Sequence, residues 1–245
     1  MGSFRGLFKR KYIEVPAVND ITFSINAGER VGFIGPNGAG KTTTMKMLSG
    51  LIRPSLGDVQ VLGFEPHKRE YDYLKQISLV MGQKAQLLWD LPPMNVFSLN
   101  KAIYGISDND YEERLSNLIE LLEVKDVVDV QTRKLSLGQR MKCELLASLL
   151  HNPKVLFLDE PTIGLDIVIQ KKIRAFLKTY NKEFNTTIML TSHYMDDVRE
   201  LCNRLIIINK GELIFDGAID TLIKEYARSK YLKIIFEKHA NQGLR

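Results

Sequence analysis

Eight consecutive residues, Gly35, Pro36, Asn37, Gly38, Ala39, Gly40, Lys41 and Thr42, fill every fixed position of the pattern Gly-x-x-x-x-Gly-Lys-Ser/Thr, and Thr43 follows. The pattern has meaning only between a strand and a helix, and apolar Arg30–Gly35 before it and Thr42–Leu51 after it supply that context. Glycines let the backbone curl until its N–H groups face inward around phosphate oxygens, and the following helix adds its positive end. Lys41 would then place a point charge on the β- and γ-phosphates, and the Thr42 hydroxyl would be a ligand for Mg²⁺. A glycine-rich turn that happens to carry a lysine is the bland alternative, and the flanking strand and helix argue against it.

A second group of reactive residues lies far along the chain. Val155–Leu158 reads as an apolar strand that ends on Asp159 and Glu160. Buried strands rarely finish on two carboxylates without a use for them. Asp159 suits the Mg²⁺ shell, and Glu160 suits polarising a water that attacks the γ-phosphate. Upstream, Leu135–Arg140 opens another helix. Ser136 can cap it, or the free N–H groups of its first turn can meet an anion.

These residues need a scaffold, and the chain supplies one in three stretches. Short strands come first: Ile21–Asn26 alternates apolar and polar side chains, and Asp58–Leu62 and Ile77–Met81 follow. From Lys84 to about Leu150 the texture becomes helical, with Tyr111, Leu115, Leu118 and Leu122 on one face of Asn109–Leu122. Strand and helix then alternate through Val155–Leu158, Val168–Tyr180 and Thr187–Leu190. Leu205–Ile208 and Leu213–Phe215 are joined by a hairpin turn at Lys210-Gly211. This order predicts an α/β core of buried parallel strands with an inserted helical lobe.

The bulk properties exclude several classes. A chain of 245 residues, 44% hydrophobic and 26% charged, can bury a substantial core. The net charge of +5 is scattered apart from Arg5, Lys9, Arg10 and Lys11, so no nucleic-acid stripe is formed. That cluster suits a solvated tail or an anionic membrane surface. The two cysteines, Cys143 and Cys202, have neither metal-ligand nor disulfide spacing. No run reaches the roughly 18 apolar residues that a membrane span requires.

Taken together, the phosphate loop, the segment Leu135-Ser136-Leu137-Gly138-Gln139-Arg140 that places Ser136 95 residues after Lys41, and the strand running into Asp159-Glu160-Pro161-Thr162 resemble the ABC ATPase family. The resemblance extends from Tyr12 to about Gly217. It implies a P-loop NTPase core with a mainly parallel sheet, an N-terminal antiparallel β subdomain and an α-helical subdomain inserted at about 84–150. Residues 1–220 would form the ATPase domain, and 221–245 a helix and strand (Tyr231–Phe236) that could begin an accessory region. It further implies that Gln83 contacts Mg²⁺ and the attacking water, and that His193 contacts the γ-phosphate. Ser136, Leu137, Gly138 and Gln139 would bind ATP held by a second subunit, and Asp166, in Gly164-Leu165-Asp166, would signal across the dimer. Tyr12 precedes Lys41 by 29 residues, where the family places an aromatic under the adenine; a core tyrosine is the other reading, and Phe8 is nearby. Leu137 stands where the family most often has glycine, while Ser136 and Gly138 are retained.

The wording of the motifs is similar to that of bacterial ABC-2-type exporter ATPases, including those for drug or viologen export. The implied protein is an ATPase using ATP and Mg²⁺, paired with a second copy and docked on a transmembrane permease at the cytoplasmic face of the membrane, with no nucleic-acid partner. Trp89, Leu91, Pro92, Pro93, Val96 and Phe97 would receive a short helix of that permease, or would simply be lobe core. Two other classes compete. An ABC ATPase acting on nucleic acid or ribosomes would carry coiled-coil or zinc insertions, or two ATPase domains. A non-hydrolysing nucleotide-binding module would typically lack Glu160 or His193.

Overall fold

The computed structural model describes residues 16–82 and 86–226. Among the described residues six strands form one sheet: β1 (Arg30–Ile34), β2 (Ile77–Met81), β3 (Val155–Asp159), β4 (Thr187–Thr191), β5 (Arg204–Asn209) and β6 (Glu212–Ala218). Their spatial order is β2-β3-β4-β1-β5-β6. The first five run parallel, and β6 returns antiparallel to β5. That return is made by Lys210 (φ 50°) and Gly211 (φ 80°), two left-handed residues that match the twist of the paired strands.

Period-two alternation feeds two cores. Leu156, Leu158, Ile188 and Leu190 point into a large cluster shared with the helical lobe. Val155, Phe157, Met189 and Ile206 point into a second cluster on the opposite face with Val31, Phe33 and Met45. A parallel sheet covered on both sides has no water-facing positions, which is why these strands read as continuous apolar runs. The covering elements are α1 (Lys41–Leu48), the short α2 (Tyr71–Leu74), a lobe of α3 (Pro93–Tyr104), α4 (Asp108–Leu122) and α5 (Leu137–Leu149), then α6 (Ile167–Phe184), α7 (Met195–Leu201) and α8 (Ile219–Tyr226). Helix α4 starts on Ser107, whose side chain accepts from the Asp110 N–H, and buries Tyr111, Leu118 and Leu122 as the periodicity predicts. Among the described residues no helix is long and apolar enough to cross a membrane.

Three expectations need correction. Ile21–Asn26 is not a paired strand among the described residues, yet its side chains do alternate. Ile21, Phe23 and Ile25 lean on the second core while Thr22, Ser24 and Asn26 are exposed, so the pattern records burial without a ladder. Asp58–Leu62 reduces to one antiparallel bridge, Val61 to Phe64, because Leu62 (φ 54°) and Gly63 (φ 82°) turn the chain at once. The lobe's first helix begins at Pro93, after irregular backbone. Tyr12, Gln83, Tyr231–Phe236 and the N-terminal basic cluster lie outside the described residues.

Candidate functional site at the carboxyl ends of the parallel strands

Because β1 to β5 share one direction, the loops that follow them gather at one edge, where open parallel sheets bind ligands. The loop after β1 carries Gly35 to Gly40 and opens α1. Gly35 is required by space: a Cβ there would sit 2.1 Å from the Ile208 carbonyl oxygen. Gly40 takes φ 105° as the cap of α1, a conformation closed to other residues. Pro36 accepts from the Ala39 N–H (3.1 Å), and Ala39 accepts from the Gly211 N–H (3.0 Å), tying the loop to the hairpin. Lys41, 6% exposed, donates through Nζ to the Gly35 and Pro36 carbonyls (2.7 and 3.0 Å). Burial lowers its pKa, and the charges of Glu160 and Asp159 oppose that shift. Asn37, Gly38 and Thr43 complete the loop and the start of α1.

The carboxylates from the far half of the chain arrive here. Asp159 accepts from Thr42 Oγ1 through Oδ2 (2.9 Å) and from Thr191 Oγ1 through Oδ1 (2.6 Å), joining the start of α1 to β3 and β4. Glu160 stands at φ 54°, a left-handed conformation that a non-glycine residue adopts at a cost of order 1–3 kcal/mol and keeps where its surroundings demand it. The Thr191 carbonyl and hydroxyl demand it, both accepting from the Glu160 N–H at 3.1 Å. The turned backbone brings Glu160 Oε1 to 2.6 Å from His193 Nε2. Gly82, at the end of β2, donates to the Asp159 carbonyl (2.9 Å), and a Cβ on it would meet the Glu160 carbonyl oxygen at 2.1 Å. Gly82→Ala is therefore expected to push β2 off the Glu160 turn and to reduce ATP turnover about tenfold or more, with about 1–3 kcal/mol of stability lost to overpacking. Phosphate-release kinetics and urea unfolding of that variant check both numbers.

The signature residues form a separate constellation. Ser136 caps α5 by accepting from the Gln139 N–H (3.2 Å), and Gln139 Oε1 accepts from the Ser136 N–H (2.9 Å). The hydroxyl still has its own hydrogen to donate. Asp166 caps α6 by accepting from the Ile169 N–H (2.9 Å). Gly138 packs under Ile169, and the Leu137 side chain lies over Gly164. A cavity of about 410 Å³ is lined by Ser136, Leu137, Gly138, Gln139, Gly164 and Asp166, together with Lys142 and Glu123; no residue of the phosphate loop lines it. Two helix N-termini thus face one open cavity, apart from the phosphate loop. Exposed Ile167 and Val168 stand beside it.

The sequence did not mark every contributor. Thr191, Ser192, Arg174 and Asp197 carry no motif of their own in the sequence, and Thr162 enters only as the last residue of Asp159-Glu160-Pro161-Thr162. All five are buried; Thr162, Ser192 and Arg174 bond to Asp197, and Thr191 bonds to Asp159 and Glu160. Their one sequence signal is polar character at positions flanking the motifs. Among the proposed docking residues, Val96 and Phe97 are core, at 7% and 0% exposure, whereas Trp89 and Leu91 are exposed. For Phe97 the lobe-core alternative holds: α3 turns it inward against the main core. A groove of about 380 Å³ lies between Leu51, Tyr71 and Leu79 on the core side and Val96, Asn100 and Ile103 on the lobe side.

Comparison with known proteins gives the family and the fold. The ABC transporter family profile matches residues 18–163. The chain is 32% identical over 97% of its length to the ABC transporter ATP-binding protein NatA of Bacillus subtilis, and spans 96% of that protein. It is 33% identical to the probable multidrug ABC transporter ATP-binding protein YbhF of Escherichia coli over 90% of this chain, which spans only 38% of that longer relative. Among solved structures, a dimeric bacterial ABC transporter cassette superposes with a TM-score of 0.74 at 25% identity, covering 84% of this chain and 91% of that one. The chain belongs to the ATP-binding subunits of the ABC transporter family, and the activity of that family is ATP hydrolysis.

Proposed function

We propose that the chain hydrolyses ATP in two sites, each shared between two copies, and that this drives export through an ABC-2-type permease at the cytoplasmic face of a bacterial membrane. One observation carries the two-copy reading. Gly35–Thr43, Asp159, Glu160 and His193 meet at the strand ends, while Ser136–Gln139 line a cavity that none of them enters. A two-fold pairing lays each signature cavity on the partner's phosphate loop and makes two equivalent sites.

Within one site the division of labour follows from position. Gly35–Gly40, Lys41 and Thr43 hold the phosphates. Glu160 takes the proton of the attacking water. His193, bonded to Glu160, also reaches the γ-phosphate, and Gln83 and Tyr12 serve the water and the adenine as the family resemblance implies. Thr42 Oγ1 and Asp159 Oδ2, 2.9 Å apart, are oxygen donors of the kind Mg²⁺ takes when it shares its shell with substrate phosphates and water. The ion, when bound, supplies charge neutralisation at the transferring phosphoryl group. Residues 1–220 are the motor by this reading.

Coupling runs through the face of the helical lobe that carries exposed Trp89 and Leu91 and the groove between Leu79 and Val96, which would receive an amphipathic permease helix. Reconstitution with its ABC-2-type permease is expected to give ATP-dependent efflux, scored as uptake into inverted vesicles. Trp89→Asp should reduce that transport at least tenfold while basal hydrolysis by the separate subunit stays within about twofold. Transport only into right-side-out vesicles would reverse the direction, and wild-type transport by Trp89→Asp would move the docking site elsewhere. The wording of the motifs, similar to that of exporter ATPases, supports the export direction.

A further inference from the structure

Backbone pairing between β3 and β4 ends at Asp159 opposite Thr191. Beyond that pair the two chains could diverge, yet Glu160 and His193, the next residues to matter, sit 2.6 Å apart. A single buried carboxylate bridges the gap. Asp197 of α7 is 1% exposed, and its Oδ2 accepts from two hydroxyls at once: Thr162 Oγ1, two residues after Glu160, and Ser192 Oγ (2.7 Å), the residue before His193. Its Oδ1 accepts from Arg174 Nη1 (2.6 Å), and Arg174 Nε is held in turn by Glu200 (2.7 Å). Ser192 Oγ also accepts from the Tyr194 N–H (3.0 Å), so His193 is bracketed on both sides by bonds to one serine.

We propose that Asp197 is a positioning residue for hydrolysis, clamping the chain after Glu160 to the chain before His193 so that these two side chains stay in register. The inference rests on the reading that Glu160 and His193 act on the water and the γ-phosphate. A general charge-neutralising role for Asp197 would need Arg174 alone. Two hydroxyls from different segments converging on one oxygen instead fix a distance. Because Thr162 also leads into Gly164-Leu165-Asp166, whatever moves that loop across the dimer is transmitted through Asp197 to His193. A misplacement of about 1 Å at a reacting group can cost on the order of 100-fold, so loosening the clamp is a rate effect and not a binding effect.

The test uses the full chain and the two hydroxyls, each of which can be removed without leaving a buried charge unpaired. Thr162→Val and Ser192→Ala are each expected to lower kcat for ATP about 10- to 100-fold. KM for ATP and the Kd for a fluorescent ATP analogue should stay within about threefold, and melting temperatures within about 4 °C, or roughly 1 kcal/mol. Thr162→Ser, which restores a hydroxyl, should recover at least half of the rate. In a His193→Ala background neither substitution should reduce the residual rate by more than about twofold, since the residue they position is gone. Wild-type kcat in both hydroxyl variants, or the same fold loss with and without His193, would overturn the clamp. An unimpaired His193→Ala would instead overturn the reading on which it rests.

Discussion

Glu160→Gln is expected to slow ATP hydrolysis by about 10²- to 10⁴-fold, the range a positioned general base commonly contributes, and to trap an ATP-loaded dimer. The substitution changes little else. A glutamine has the shape of the glutamate, keeps an oxygen for His193 Nε2, and bears the left-handed backbone at residue 160 (φ 54°) equally well. The Thr42–Asp159–Thr191 arrangement is untouched, so nucleotide binding survives while the water loses its proton acceptor. ATP then goes on biasing the pair toward the closed state, because hydrolysis no longer releases it. Size-exclusion chromatography with and without ATP and Mg²⁺, beside phosphate release from the wild type, checks both halves. A protein that stayed monomeric at saturating ATP and Mg²⁺ would count against the two-copy site, and wild-type turnover would remove Glu160 from the mechanism.

Arg174→Leu is expected to cost about 3–5 kcal/mol, the usual penalty for leaving one partner of a buried ion pair uncompensated. Arg174 and Asp197 side chains are 5% and 1% exposed, with 2.6 Å between Nη1 and Oδ1. Glu200, half exposed, can turn to water when the guanidinium is lost. Asp197 cannot, and keeps only hydroxyl donors. Against total stabilities of 5–15 kcal/mol, such a loss is a large fraction. The double variant Arg174→Leu with Asp197→Leu should lose less than the two single losses combined, because neither charge is then left alone in the core. Urea unfolding of the three variants measures this through the midpoint at constant slope. A single-variant loss under about 1 kcal/mol would show that water or Glu200 reaches Asp197 after all.

The sequence by itself determined the chemistry of the site and the kind of scaffold that carries it. Gly35 to Thr42 and the carboxylates Asp159 and Glu160 are local motifs. Their residue types are dictated by a turn that must approach phosphate and by a strand end that must hold charge, so they are legible wherever they occur. The parallel strands were legible because burial on both faces leaves an unbroken apolar run, and α4 because helical spacing of Tyr111, Leu118 and Leu122 has no other use. What only the tertiary structure decided is everything set by contacts between distant segments. The meeting of Thr42 with Asp159, the distance from Glu160 to His193 and the convergence of Thr162 and Arg174 on Asp197 join positions 23 to 117 residues apart. A polar residue at such a place looks like any solvated loop or helix residue until its partner is known. The same reason explains the open and mistaken readings. Phe97 was open between docking surface and lobe core because its burial depends on how α3 packs, and Ile21–Asn26 looked like a strand because alternation records which face is buried and not which groups are hydrogen-bonded.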